Sequence, residues 1–206
     1  MKRARVAILI SGRGSNMAAL IDAAKRPDYP AEIVGVLSNR AAAPGLDIAA
    51  RNAIPTASLA QSSFADRDLF EAAMTRVLES WKADYVCLAG FMRILGEDFV
   101  NRWLGRMINI HPSLLPAYKG LDTHKRALAD GATEHGCTVH FVTPGLDDGP
   151  AILSARVPVL PGDTPASLAD RVLAEEHRLY PEALRLLAIG KVRFHDHRHR
   201  SDSHPN

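Results

Sequence analysis

Residues 4–25, A-R-V-A-I-L-I-S-G-R-G-S-N-M-A-A-L-I-D-A-A-K, decide the fold. Ala4–Ile10 is a continuous β-prone run, Ser11–Asn16 is a turn punctuated by two glycines, and Ser15–Lys25 is amphipathic, so the chain opens strand, loop, helix. Working outward, Ile33–Leu37 reads as a second buried-type strand. Gly45–Asn52 and Arg67–Trp81 are helical by spacing, the latter with Leu69, Phe70, Ala73, Met74, Val77 and Leu78 on one stripe. Tyr85–Ala89 and Met107–Ile110 are two further short apolar strands. Strands of this kind separated by helices predict an α/β fold: a Rossmann-like open sheet, mostly parallel, with helices on both faces.

Past His111 the pattern changes. Pro112, Pro116 and Gly120 fix a long loop, Thr123–Ala129 is a short helix, and Cys137–Thr143 and Ile152–Leu160 form an antiparallel C-terminal strand pair joined by Pro144–Pro150. Pro165–Ile189 reads as one closing helix that ends at Gly190, with Pro181 expected to bend or divide it. The organisation predicted is a single domain over 1–194, with a phosphate-binding half of about 1–110 and a second half of about 111–194. A polar tail at 195–206 carries four of the nine histidines; it reads as disordered, solvated and unrelated to activity.

Composition narrows the function classes. A chain of 206 residues that is 47% hydrophobic and 23% charged has enough apolar side chains for one large core, which argues against disorder and against a disulfide scaffold. Twenty-five Lys and Arg against 23 Asp and Glu leave +2, too small and too evenly spread an excess for a nucleic-acid partner, so an anionic ligand must be bound locally. Cys87 and Cys137 each lie in an apolar run outside any C-x-x-C pair, as reduced core thiols do. No run approaches the ~18 apolar residues of a membrane span, and the apolar run after Met1-Lys2-Arg3 stops at Ile10, too soon for a signal peptide. The chain is read as cytoplasmic.

Three constellations carry chemistry. S-G-R-G-S-N at Ser11–Asn16 sits where a strand meets a helix, so unpaired N–H groups and the positive helix end suit a phosphate, while Gly12 and Gly14 let the backbone come close. A third small residue and an acid after the second strand would complete a dinucleotide fingerprint, but Met17 and Asn39-Arg40 stand there, and no Walker lysine follows. A phosphomonoester therefore fits better than NAD or a triphosphate; a turn without ligand is the other reading of this motif. I-N-I-H-P-S-L-L-P at Ile108–Pro116 places Asn109 and His111 two apart on one face at a strand's C-terminal end. An amide donor beside a titratable imidazole is equipment for attack on a carbonyl-type carbon; a satisfied strand-end histidine is the bland alternative. Asp147-Asp148-Gly149 is an ordinary turn by itself, but a carboxylate there would favour the charged form of a facing imidazole. His140, His177 and Glu176 could each line a site or belong to a core or helix surface, and no His or Cys spacing suggests zinc.

Taken in order, these segments resemble the phosphoribosylglycinamide formyltransferase family. The resemblance runs from V-A-I-L-I-S-G-R-G-S-N through L-A-G-F-M-R-I-L (Leu88–Leu95), N-I-H-P-S-L-L-P, G-C-T-V-H-F-V (Gly136–Val142) and L-D-D-G-P to E-E-H-R-L-Y-P (Glu175–Pro181), leaving out only the tail. It implies formyl transfer from 10-formyltetrahydrofolate, as co-substrate, to the glycine amine of glycinamide ribonucleotide in purine synthesis, without a metal. It further implies a catalytic trio of Asn109, His111 and Asp147, with Asn109 and His111 on the oxyanion and Asp147 holding His111 charged. The nucleotide phosphate would lie on Gly14, Ser15 and Asn16 and its ribose on Glu176. Folate would lie along Met92, Arg93, Ile94 and Leu95 and beside Asn109, with its pterin at the 143–147 loop backbone and Arg67 near its carboxylate tail. A homodimer follows only by analogy with the family.

Two positions depart from the family pattern. Arg13 stands in the phosphate loop where a small or polar residue is usual, and Asp122 stands where some relatives carry His, which puts in question any contact from that loop to Asp147. Of the rival formyl enzymes, methionyl-tRNA formyltransferase shares the trio and the S-L-L-P run and formyltetrahydrofolate hydrolase is a second relative; the S-G-R-G-S-N loop decides against both. A catalytically silent nucleotide-binding module would keep the loop without needing three competent residues.

Overall fold

The computed structural model describes residues 2–195, so the tail expected at 195–206 lies, apart from His195, outside the described residues. Seven strands form one sheet: β1 (Ala4–Ile10), β2 (Ala31–Ser38), β3 (Thr56–Ser58), β4 (Tyr85–Leu88), β5 (Met107–His111), β6 (Glu134–Phe141) and β7 (Ala151–Pro158). Their order is β3-β2-β1-β4-β5-β6-β7. Pairings from β3 to β5 are parallel, and those of β5 with β6 and β6 with β7 are antiparallel. Among the described residues no helix is long and apolar enough to cross a membrane.

Each parallel strand alternates between two cores because successive side chains leave a strand on opposite faces. Val6, Ile8 and Ile10 of β1 pack with α1 (Ser15–Ala24) and α6 (Pro165–Ala188), whereas Ala7 and Leu9 pack with α3 (Arg67–Ser80) and α4 (Glu97–Arg102). The remaining helices are α2 (Pro44–Arg51) and α5 (Thr123–Ala129). The chain winds from β1 to β2 and β3 on one side and then returns to place β4 on the other side of β1. Strand order therefore reverses between β1 and β4, and the region beyond their carboxyl ends is where ligands bind in open α/β sheets.

The expected strands and helices are all present, most of them ending within two residues of expectation, and the exceptions have physical causes. β3 has three residues, none buried, and α4 has six, too few to show a hydrophobic period. β6 begins at Glu134 rather than Cys137, its polar first residues being held by pairing with β7. α6 is not divided at Pro181: it continues to Ala188, where Ala183, Leu184 and Leu187 extend the buried stripe begun by Leu168 and Val172. That packing outweighs the amide hydrogen bond that Pro cannot donate. Cys87 and Cys137 are buried and unpaired, and burial pushes both thiols up to about 12.

α6 is fastened to the sheet beneath the crevice. The fully buried Tyr180 hydroxyl lies 2.9 Å from the Leu88 carbonyl and 3.1 Å from that of Ile108, the ends of β4 and of the β5 segment before Asn109. Replacing Tyr180 by Phe leaves these carbonyls short of a buried donor and should lower unfolding free energy by about 1–3 kcal/mol, read as a lower urea midpoint. An unchanged midpoint would show that the hydroxyl fastens nothing.

Candidate active site

β5 changes character along one face. Met107 lies in the core shared with α3 and α4, and the next two side chains on that face are Asn109 and His111, at the strand's carboxyl end. Antiparallel pairing sets His140 of β6 directly opposite Asn109 and Thr138 opposite His111. A register shift between Val139 and His140 in the β6–β7 pairing marks a bulge at this point. The β6–β7 loop then carries Asp147 back over β5, with Asp147 itself in the left-handed region at φ 46°. A non-glycine residue held there is strained, and the hydrogen bonds of its carboxylate help to hold it.

The structure thus brings Asn109, His111 and Asp147 together and adds His140. Asp147 Oδ2 lies 3.3 Å from His111 Nδ1 and accepts the Gly120 N–H at 2.9 Å, while Oδ1 lies 3.6 Å from His140 Nε2. His140 Nδ1 is 2.9 Å from the Phe141 carbonyl, and its Nε2 lies 3.2 Å from Asn109 Nδ2 and 3.6 Å from Asp147 Oδ1, accepting from the amide when neutral and donating toward the carboxylate when protonated. The Asn109 amide is thereby oriented with one N–H spent on His140 and the other free. His111 Nε2 faces the Tyr118 carbonyl at 2.9 Å, so both of its ring nitrogens meet acceptors. The Tyr118–Gly120 segment must shift before Nε2 can reach a substrate.

The expectation that Asp147 holds His111 charged is not met in this arrangement. Burial is the largest influence on the ring and carries its pKa below the ordinary 6.5; the Tyr118 carbonyl and Asp147 pull it back only in part. Asp147 itself stays below the usual carboxylate range: burial opposes its ionisation, but His140, the Gly120 N–H and His111 together prevail. The site pairs a carboxylate with an imidazole that has room for a second proton. Nor does Asp122 separate the loop from Asp147. Asp122 stands at the start of α5 with no side-chain cap bond, and the loop reaches Asp147 through the Gly120 backbone and pairs Lys119 with Asp148.

The turn expected to seat an anion lies at the same end of the sheet. Gly14 precedes α1 in the left-handed conformation, φ 75°, without a side-chain cap, so the first-turn N–H groups of Ser15, Asn16 and Met17 face outward uncapped. A Cβ on Gly14 would meet Met17 Cε at 2.9 Å and Gly45 Cα at 3.0 Å, so this turn requires glycine. Met17, which spoils the dinucleotide fingerprint, is wholly buried beneath the turn, and Arg13 is exposed at its tip. Asn16 Nδ2 donates to Glu176 Oε2 at 2.6 Å, while Asn16 Oδ1 is buried with no partner among the described residues. Burial raises the Glu176 pKa, against the pull of Asn16. A buried orphan acceptor beside a buried carboxyl group suits a ligand that brings hydroxyl donors. β1 and β5 flank β4, which puts the turn and the His111 end roughly 10 Å apart across the sheet, two strand spacings.

Between them runs the segment from Phe91 to Gly96. Met92 and Ile94 are 62% and 75% exposed, a bare apolar surface at the crevice, Arg93 is exposed, and Leu95 is buried. Arg67, at the start of α3, lies beside the far end of this segment with its side chain more than half exposed. Among the described residues no group of three or more His, Cys, Asp or Glu is arranged to hold a metal ion. Sequence reasoning did not find the Tyr118 carbonyl or the Gly120 N–H, which carry no side-chain signal, and it left His140 open because only strand register sets it against Asn109.

A strand-order reversal with an uncapped helix N-terminus, an amide and an acid-backed imidazole at one end of the sheet suits a group-transfer enzyme acting at a carbonyl-type carbon. The family model described as formyl transferase matches residues 4–184, and the chain belongs to that family. It is 44% identical over 191 residues to phosphoribosylglycinamide formyltransferase of Escherichia coli K12, covering 93% of this chain and 90% of that protein. It is 52% identical over 191 residues to the human trifunctional purine biosynthetic protein adenosine-3, covering 93% of this chain but only 19% of the longer protein. The crystal structure of phosphoribosylglycinamide formyltransferase from Brucella melitensis superposes with a TM-score of 0.88 at 51% identity, covering 94% of this chain and all of that one.

The pairing of Asp147 with His111 has a signed consequence. A negative charge favours the imidazolium, so Asp147→Asn should lower the His111 pKa further, seen as a lower midpoint in an NMR titration of its ring protons. An unmoved midpoint would break the pairing.

Proposed function

We propose that this chain is a phosphoribosylglycinamide formyltransferase, passing the formyl group of 10-formyltetrahydrofolate to the glycine amine of glycinamide ribonucleotide in purine synthesis. The observation that carries this reading is the convergence of Asn109, His111 and Asp147 on the rim that also holds the uncapped α1 N-terminus. The likeness to relatives named for this reaction supports the same substrates.

Phosphate fits the Gly14–Asn16 turn, where first-turn N–H groups have no other partner. Ribose hydroxyls answer the orphan Asn16 Oδ1 and the Glu176 carboxyl group. The folate ring and benzoyl portion fit the exposed apolar surface of Met92 and Ile94 and the 143–147 loop, and Arg67 is placed for a carboxylate tail. When bound, the folate supplies the activated formyl carbon. Asn109, with one N–H fixed on His140, turns its other N–H to the formyl oxygen, where negative charge builds as the amine attacks. His111 starts with room for a proton and has Asp147 behind it. It is placed to hold the proton that leaves the amine until the departing folate nitrogen takes it, so one proton leaves one nitrogen and arrives on the other. The ligands of this reading are two small molecules, with no nucleic acid, in a soluble, cytoplasmic enzyme of one domain over 1–194.

Replacing His111 by Ala should reduce turnover by roughly 10²–10⁴ with nucleotide binding kept, measured by the absorbance change of folate deformylation. In the intact enzyme that signal should require glycinamide ribonucleotide. Deformylation at the same rate without the nucleotide would make the protein a hydrolase, and undiminished turnover would remove His111 from the chemistry.

A further inference from the structure

The anion turn and the apolar segment expected to bear folate are far apart in sequence, yet one buried hydroxyl joins them. Ser11, the first residue after β1, is 3% exposed. Its Oγ accepts the Met92 N–H at 2.7 Å and donates to Asn39 Oδ1 at 2.6 Å, and its own N–H donates to the Gly90 carbonyl at 3.1 Å. Asn39, also buried, is the first residue after β2. The chain of donors runs in one direction, Met92 N–H to Ser11 O–H to Asn39 Oδ1, so the single hydroxyl proton and one lone pair of Ser11 are both used.

The placement matters because Ser11 begins the turn that ends at Asn16, and Met92 begins the exposed apolar segment. That segment has little packing of its own between Met92 and Ile94. Its far end is tied to a second buried polar group: Glu71 of α3, 6% exposed, accepts the Gly96 N–H at 2.7 Å. The two ties differ in what lies behind them. Glu71 leads back only to the α3 face, whereas Ser11 leads directly into the anion turn, which is itself braced where the Gly45 N–H donates to the Gly12 carbonyl at 3.0 Å. Asn39 fixes the direction of the hydroxyl and thereby keeps its lone pair on Met92.

We propose that Ser11, oriented by Asn39, is a positioning residue that couples the two substrate subsites, so that an occupied anion turn holds the Met92–Leu95 segment in the form that binds folate. This rests on the functional reading above. A phosphate seated on Gly14–Asn16 stiffens the turn, the stiffened turn fixes Ser11, and Ser11 fixes the Met92 backbone. By reciprocity, folate on the segment tightens nucleotide binding by the same factor.

The test uses the full-length protein and a 10-formyl folate analogue that cannot release its formyl group, titrated calorimetrically into enzyme with and without saturating glycinamide ribonucleotide. Wild type should bind the analogue about fivefold or more tightly when the nucleotide is present. Ser11→Ala should bring that ratio close to one and raise the folate KM while leaving kcat at saturation of both substrates little changed. Ser11→Thr, which keeps a hydroxyl, should restore the ratio. Asn39→Ala, which leaves the hydroxyl but removes its acceptor, should lower the ratio too and serves as the reading if Ser11→Ala does not fold. A ratio near one in wild type would overturn the coupling while leaving formyl transfer intact. So would a wild-type ratio in folded Ser11→Ala, or equal losses of kcat and kcat/KM, since those describe a scaffold residue. Wild type that transfers no formyl group to the nucleotide would instead overturn the functional reading.

Discussion

The two-residue period of β5 is the constraint on which the site rests. A strand covered on both faces must be apolar on both, and β5 obeys this at Met107, Ile108 and Ile110. Asn109 and His111 break the rule on one face only, and they do so at the carboxyl end, where the sheet runs out of helical cover. A one-residue slip would send both side chains into the core of α1 and α6 and leave two buried polar groups unpaired. The register is held from several sides at once: β4 pairs parallel with Met107–Asn109, β6 pairs antiparallel with Ile108–His111, and Tyr180 reaches the Ile108 carbonyl from beneath.

That constraint also explains which parts of the molecule were legible in the sequence. The opening strand, turn and helix could be read because apolar run, glycines and helical spacing agree, and N-I-H could be read because strand alternation needs only two residues to put Asn109 and His111 on one face. The reading failed where the determining contact is non-local. β3 is held as an edge by pairing with β2, and the first residues of β6 by pairing with β7, neither of which shows in local composition. The partnership of Asn109 with His140 depends on the antiparallel register between residues 31 apart in sequence. Backbone groups left no trace at all, and the Tyr118 carbonyl and Gly120 N–H are the clearest cases.

The sign of the His111 shift was missed for a related reason. Sequence identifies a carboxylate that could face the ring, but not how much water the fold removes from it. Once Thr138, Tyr118 and the β6–β7 loop close around β5, desolvation of the imidazolium outweighs an acid 3.3 Å away. The same loss of water opposes ionisation of both carboxylates of the rim, but the net outcomes differ. Asp147 has an N–H and two imidazoles against it and stays ionised more readily than usual, whereas Glu176 has a single amide and is pushed toward its protonated form. Glu176 and the orphan amide oxygen beside it offer acceptors to hydroxyl groups. A readily ionised Asp147 can only accept, and it faces His111 Nδ1 at 3.3 Å.

Asn39 shows how one residue identity settles both what the crevice binds and how it is built. In a dinucleotide fold the end of the second strand offers a carboxylate outward to a ribose. Here the side chain at that position turns inward and accepts the Ser11 hydroxyl, so it is spent on the architecture of the crevice. An aspartate in its place would put a buried charge against the same hydroxyl and cost desolvation that one neutral donor does not repay. The absence of the dinucleotide acid is thus one aspect of the same packing that brings β1, β2 and β4 to a common point. The ligand proposed for this site is smaller than a dinucleotide: a phosphate for the turn and a hydroxyl-bearing sugar for Asn16 and Glu176, with its amine end toward His111.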